Sequence, residues 1–208
     1  MTYTVYGIGR SGSAIVEMAL AKLSLPYEVR PIDIGVGAQQ AAEYTAINPQ
    51  AKIPAVITPQ GETLTETLAI VITLDERHRA GGLLPAPGSA DRVQALRWMT
   101  YVATEIYPLV EINDYPERFA IDADSAPATR EVARAIWRRR WLVVERAIEG
   151  DPWLLPSGFT MADAYLAVVS RWAQQAEWRS EHTPRIEAIT SAIAHQPDIG
   201  PVWTRHFG

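Results

Sequence analysis

The hydrophobic rhythm of the chain changes partway along, and the change divides it. Residues 2–6 are β-branched and aromatic and read as a strand. Gly7, Gly9 and Gly12 interrupt them, with Ser11 and Ser13 in between. From Ala14, the apolar residues Ile15, Val16, Ala19, Leu20 and Leu23 recur at helical spacing until Pro26 stops the pattern. Residues 27–34 read as a second strand. A strand–helix–strand unit is by default a right-handed parallel crossover. Residues 35–47 are polar and suggest a loop with a short helix. Residues 55–58 and 63–65 read as strands around the turn Pro59-Gln60-Gly61-Glu62, which makes an antiparallel hairpin. Glu66 and Thr67 then open an amphipathic helix carrying Leu68, Ile70, Val71, Ile72 and Leu74.

Beyond this point the period is helical. Pro85, Pro87 and Gly88 mark a linker over residues 81–89. Helices are predicted over 91–111, with Val93, Leu96, Met99, Val102, Ala103 and Ile106 on one face, and over 127–149, stopped by Gly150 and Pro152. Two more follow over 160–178 and 184–195. The expected architecture is α/β followed by all-α: a βαβ–ββα domain over 1–80, of thioredoxin-like arrangement, and a helical bundle over 90–208.

Composition narrows the function. The formal net charge is −5, which disfavours nucleic acid and anionic membrane as partners. The one dense basic run, Arg138-Arg139-Arg140, lies in a helical stretch and reads as a solvated face. No apolar run reaches membrane-spanning length, and the first residues lack the pattern of a signal peptide, so a cytoplasmic protein is expected. There is no cysteine. A disulfide, a thiolate metal site or a protein thiol nucleophile is therefore excluded, and no metal is expected. Any sulfur chemistry must use sulfur carried by a ligand.

Three segments carry chemistry. Asn48-Pro49-Gln50-Ala51-Lys52-Ile53-Pro54-Ala55 places a proline at a strand start, where a cis bond is accessible. Glu66-Thr67-Leu68-Ala69-Ile70 begins a helix, whose first N–H groups lack partners and attract carboxylates. Thr160-Met161-Ala162-Asp163 is a capping box, a folding element worth about 1 kcal/mol. In this order and spacing the segments resemble those of the cytosolic glutathione transferases, in bacterial, serine-type or beta-like form. The resemblance spans nearly the whole chain. It implies that Ile53, beside Pro54, pairs its backbone with the cysteinyl unit of glutathione as an added strand would. It also implies that Lys52 reaches the glycyl carboxylate, and that Glu66 and Thr67 hold the γ-glutamyl end. Ala51 stands where the family usually has glycine, which suggests that no positive φ is needed there.

In this family a hydroxyl near the first helix lowers the thiol pKa of glutathione by donating to the sulfur. Ser11 and Ser13 are the catalytic candidates, Ser11 first, and Arg10 is a third group able to stabilise a thiolate. Both serines also suit plain turn and cap roles. Tyr101-Val102-Ala103-Thr104-Glu105-Ile106-Tyr107 resembles a bacterial segment in which a histidine faces the sulfur. Tyr107 stands in its place, as a wall of the second-substrate pocket or as an aromatic packed at a helix–proline junction. The implied activity is a glutathione transferase, with glutathione as co-substrate, an apolar electrophile and a homodimer. A glutathione-dependent disulfide reductase or peroxidase, or a non-catalytic glutathione- or apolar-ligand-binding protein, are the alternatives.

Overall fold

Strand β1 (Tyr3–Gly7) buries alternate residues, Tyr3, Val5 and Gly7, as a period of two requires. It runs parallel to β2 (Tyr27–Pro31), with Tyr3 opposite Tyr27 and Gly7 opposite Pro31. On its other side it pairs antiparallel with β3 (Ala55–Ile57), which pairs antiparallel with β4 (Thr63–Thr65). The order across this mixed sheet is β2-β1-β3-β4. Helix α1 (Ser13–Lys22) makes the crossover from β1 to β2 and packs beside α3 (Thr67–Arg77). Its Ile15, Val16, Met18 and Leu20 are fully enclosed, each contributing about 1.5–3 kcal/mol of burial. A short α2 (Ala42–Thr45) precedes β3.

The computed structural model describes residues 2–173 and 176–208. It forms two compact units, Met1–Leu84 with Ile193–Gly208, and Pro85–Ala192. The expected helical domain over 90–208 therefore loses its last stretch to the first unit. The reason is the helix α10 (Gly200–Phe207), which the pattern reading did not mark. It packs against α1 and buries Val202, Trp203 and His206, and Lys22 pairs with Asp198 at 2.7 Å. The strand expected over 27–34 is shorter, because the Asp33 carboxylate accepts from the Gly35 N–H at 2.9 Å and starts a 3-10 turn.

The second unit begins with α4 (Ala90–Tyr101), capped by Ser89, whose hydroxyl accepts from the Arg92 N–H. The single helix expected over 91–111 is interrupted by a π turn, Val102–Ile106, before α5 (Tyr107–Asp114). Pro108 has no N–H to give and its ring crowds the preceding turn. The chain widens ahead of it, and the Tyr107 N–H bonds to the Val102 carbonyl five residues back. Helix α6 (Ala126–Arg146) pairs with α5. Helix α7 (Met161–Ser170) is buried along its whole length and packs on α4. Its start is the expected capping box. The Thr160 hydroxyl accepts from the Ala162 N–H, and the Asp163 carboxylate accepts from the Thr160 and Leu154 N–H groups at 2.8 and 2.7 Å. The helix expected over 160–178 is instead α7 and α8 (Ala176–His182), and residues 174 and 175 lie outside the described residues. Helix α9 (Pro184–Ala194) follows. Among the described residues no helix is long and apolar enough to cross a membrane.

Candidate functional site

The register of the sheet decides which loops meet. Tyr6 of β1 lies opposite Ala55 of β3, and Ala55 lies opposite Thr65 of β4. The exit from β1, the start of β3 and the exit from β4 therefore share one end of the sheet. Three segments emerge there side by side: residues 8–11, residues 51–54 and the Glu66–Thr67 junction. Three adjacent strands span two inter-strand spacings, about 10 Å. An extended tripeptide is about as long.

The middle segment is built around buried Asn48. Its Oδ1 accepts from the Gln50 N–H, its carbonyl accepts from the Ala51 N–H, and its Nδ2 donates to the Lys52 carbonyl at 2.6 Å. The Tyr44 hydroxyl donates to the same carbonyl at 2.6 Å. Burial pushes this phenol up to about 12, so it remains a donor at neutral pH. Lys52 is thereby held just ahead of the Ile53–Pro54 bond, which is cis. Strand pairing begins only at Ala55, and among the described residues the backbone of Ile53 takes part in no ladder or turn bond. The side chain of Lys52 is exposed. Ala51 has φ +53, contrary to the expectation from its side chain. The Asn48 turn holds this residue in a left-handed conformation that a glycine would adopt without strain.

At the third segment Glu66 is exposed, with φ +64, and its carbonyl accepts from the Ile70 N–H. Its side chain does not cap α3, and the first turn carries no acidic residue. The partly positive amides at this helix start therefore have no carboxylate from their own turn. Thr67 is buried directly behind them.

The first segment separates the two serines. Ser13 is completely buried, and its hydroxyl lies 3.1 Å from Glu17 Oε1 and 3.3 Å from the Ile8 carbonyl. It offers no surface to a ligand, so its candidacy as a direct sulfur donor gives way to a structural role. Gly7 explains the crowding: a Cβ there would meet the Ser13 Cβ at 2.2 Å. Ser11 is half-buried. Its Oγ donates to the Ile8 carbonyl at 2.7 Å and accepts from the Ser13 N–H at 3.3 Å. A hydroxyl rotor of this kind turns to a better acceptor when one arrives. Arg10 is exposed, with φ +63, and its N–H donates to His206 Nδ1 at 3.1 Å.

Sequence reasoning missed Glu17 and His206. Glu17 lies inside α1 with its side chain 1% exposed. Burial acts to raise its pKa, but hydrogen bonds from His206 and Arg205, with the positive charge of Arg205, outweigh it and hold the carboxyl below its usual range. The signal was a lone acid within the apolar run Ile15-Val16-Glu17-Met18-Ala19-Leu20. Tyr107 belongs to the second unit. It opens α5 just after the π turn and packs edge-on against Trp172, with centroids 4.9 Å apart. Among the described residues no group of three or more histidine and acidic side chains is placed to hold a metal ion.

Comparisons with known proteins identify the family and the fold. The family model of the glutathione S-transferase N-terminal domain matches residues 1–76. The chain is 30% identical over 161 residues to the glutathione S-transferase GstA of Escherichia coli O157:H7, covering 76% of this chain and 75% of that one. It is 27% identical over 205 residues to the uncharacterized GST-like protein YncG of Escherichia coli strain K12, covering 97% of each. A glutathione transferase homolog from Sulfitobacter, solved with bound glutathione, shares the fold at a TM-score of 0.87 and 24% identity, over 97% of this chain and 96% of that one.

Proposed function

The chain belongs to the glutathione S-transferase family, and on that premise we propose that its first unit binds glutathione and activates the thiol for attack on an electrophilic small molecule. The observation that carries this reading is the convergence of residues 8–11, 51–54 and 66–67 at one end of the sheet, over the length of an extended tripeptide. Glutathione lies across the three strand ends. Its cysteinyl backbone pairs with the N–H and C=O of Ile53 beside cis-Pro54, as an added strand. Its γ-glutamyl carboxylate takes the amides that begin α3 at Thr67, and Glu66 accepts from the ammonium. Lys52 pairs with the glycyl carboxylate.

This placement leaves the sulfur at the loop ahead of α1. There Ser11 turns from the Ile8 carbonyl to donate to the sulfur, and the start of α1 and Arg10 add positive potential. Stabilising the anion lowers the thiol pKa, and the released proton passes to solvent. The thiolate then forms a carbon–sulfur bond as the electrophile expels its leaving group with the bonding pair. Holding the two reactants together supplies much of the acceleration. In the second unit we assign Tyr107 to the electrophile, as a hydroxyl on an apolar ring.

Titration calorimetry with glutathione tests the first step. Saturable heat from the folded protein, reduced in Lys52→Ala and Glu66→Ala, is expected. Absence of heat from the wild type overturns the reading. Turnover of an aryl halide supports transfer, whereas turnover confined to disulfides would replace it with a reductase.

A further inference from the structure

The last helix reaches the loop that the proposed function assigns to the sulfur. His206 is buried, with its side chain 3% exposed, and is bonded through both ring nitrogens. Nδ1 accepts from the Arg10 N–H at 3.1 Å, and Nε2 lies 3.0 Å from Glu17 Oε1. A backbone amide can only donate, so Nδ1 must carry the lone pair. Nε2 then carries the proton and donates to the carboxylate. This assigns the tautomer from bonding alone. The same Glu17 oxygen accepts from the Ser13 hydroxyl at 3.1 Å, while Oε2 pairs with Arg205 at 2.5 Å. Arg205 in turn donates to the Tyr27 hydroxyl at 3.0 Å. One buried acid and one imidazole thus grip the residues on both sides of Ser11: Arg10 through its backbone and Ser13 through its side chain.

We propose that His206 is a positioning residue for the thiol loop: in its neutral Nε2–H form it holds the left-handed Arg10 in place and so aims Ser11 at the glutathione sulfur. The assignment rests on the glutathione reading given above. It differs from a packing role because it depends on one lone pair. A second proton on the ring turns Nδ1 into a donor facing another donor, and the Arg10 bond is lost. Among the described residues the ionisable side chain bonded to the ring is Glu17 from α1, with Arg205 of its own helix on the far carboxylate oxygen and Tyr27 of β2 behind that, while Arg10 of the loop meets the ring through its backbone.

Two substitutions separate the possibilities. His206→Phe keeps the ring and removes both bonds. His206→Asn offers an oxygen where Nδ1 stood but does not titrate. In His206→Phe the thiol pKa of bound glutathione is expected to rise by about one unit, with kcat at neutral pH down about tenfold. The glutathione Kd is expected to change little, because the ligand's backbone contacts are elsewhere. In His206→Asn most of the lost rate returns. Equal losses in both variants, or an unchanged thiol titration in His206→Phe, overturn the assignment while leaving glutathione binding intact. A wild type that binds no glutathione overturns the functional reading itself. If His206→Phe fails to fold, nitrogen-15 NMR of the wild type decides. The Nε2–H tautomer supports the proposal, and an Nδ1–H tautomer refutes it.

Discussion

Replacing Asp163 with asparagine should change stability in a way that depends on pH, with a sign opposite to the usual one for a carboxylate. The carboxyl is fully enclosed at the start of α7. Burial raises its pKa from the ordinary 3.8 to about 6, although the Leu154 and Thr160 N–H groups oppose the shift. A folded pKa above the unfolded one means that the folded chain holds the proton more tightly. The group's contribution to stability is then complete below the unfolded pKa and is lost as pH rises through about 6. A difference of about two pH units corresponds to about 3 kcal/mol, lost between roughly pH 4 and 7. Asparagine has the same shape but no titration. Its one oxygen can accept from only one of the two N–H groups at 2.7 and 2.8 Å, which leaves the other facing an NH2 group. That orphaned donor costs about 1–3 kcal/mol at any pH. Asp163→Asn is therefore expected to be less stable than the wild type by about 2 kcal/mol near pH 4. The gap should narrow by about 2–3 kcal/mol by pH 8, bringing the two close to equal. Urea unfolding of both proteins at intervals across this range measures it. A difference that stays flat, or that widens with pH, refutes both the raised pKa and its cause.

Ser11→Ala is expected to raise the thiol pKa of bound glutathione by about one unit and leave the Kd largely unchanged, as read by the ultraviolet absorbance of the thiolate. An unchanged titration moves the role to Arg10 or to the amides that start α1. Ala51→Gly removes a left-handed strain of about 1–2 kcal/mol at φ +53 and adds about 0.5–1 kcal/mol of unfolded-chain entropy. A small gain in denaturation midpoint is expected, and a loss would mean that the Asn48 turn does not impose this conformation. Gly7→Ala drives a Cβ to 2.2 Å from the Ser13 Cβ and 2.4 Å from its Oγ. It is expected to destabilise the protein by about 1–3 kcal/mol, and an unshifted midpoint would contradict the close approach of β1 to α1.

The sheet and the first helix were legible because their signals are local. β-branched alternation marks β1, helical spacing marks α1, and Pro59-Gln60-Gly61-Glu62 marks the turn between β3 and β4. The cis-Pro54 segment and the α3 start were legible as motifs, since each is a short run of backbone-shaping residues. The interruption of the helix over 91–111 was within reach, because Pro108 cannot donate, yet apolar periodicity runs straight through a π turn. The attachment of residues 193–208 to the first unit was not legible. It depends on Glu17, Arg205 and His206, separated by nearly the whole chain, and no window along the sequence contains both partners. The contrast between Ser11 and Ser13 was not legible for a related reason. The two differ in burial, which Gly7 and Glu17 decide from outside the loop.

Much of the left-handed backbone lies beside the residues assigned to glutathione. The described residues other than glycine with positive φ are Arg10, Ser24, Ala51, Glu66 and Ala173. Three of these, Arg10, Ala51 and Glu66, stand one or two residues before Ser11, Ile53 and Thr67, the groups assigned to the sulfur, the cysteinyl backbone and the γ-glutamyl carboxylate. Each such conformation costs about 1–3 kcal/mol and persists only where its surroundings fix it. The surroundings do so by different means. His206 accepts the Arg10 amide, Asn48 and Tyr44 clamp the turn around Ala51, and the Glu66 carbonyl is taken by the Ile70 N–H. Together the three strains are of the same order as the net stability of a domain, so the buried polar anchors are a condition for the site. A left-handed residue turns the next backbone group out of its ladder, and a ligand that binds as a strand needs such a group. What the buried histidine, asparagine and tyrosine fix at this end of the sheet is thus a set of backbone directions.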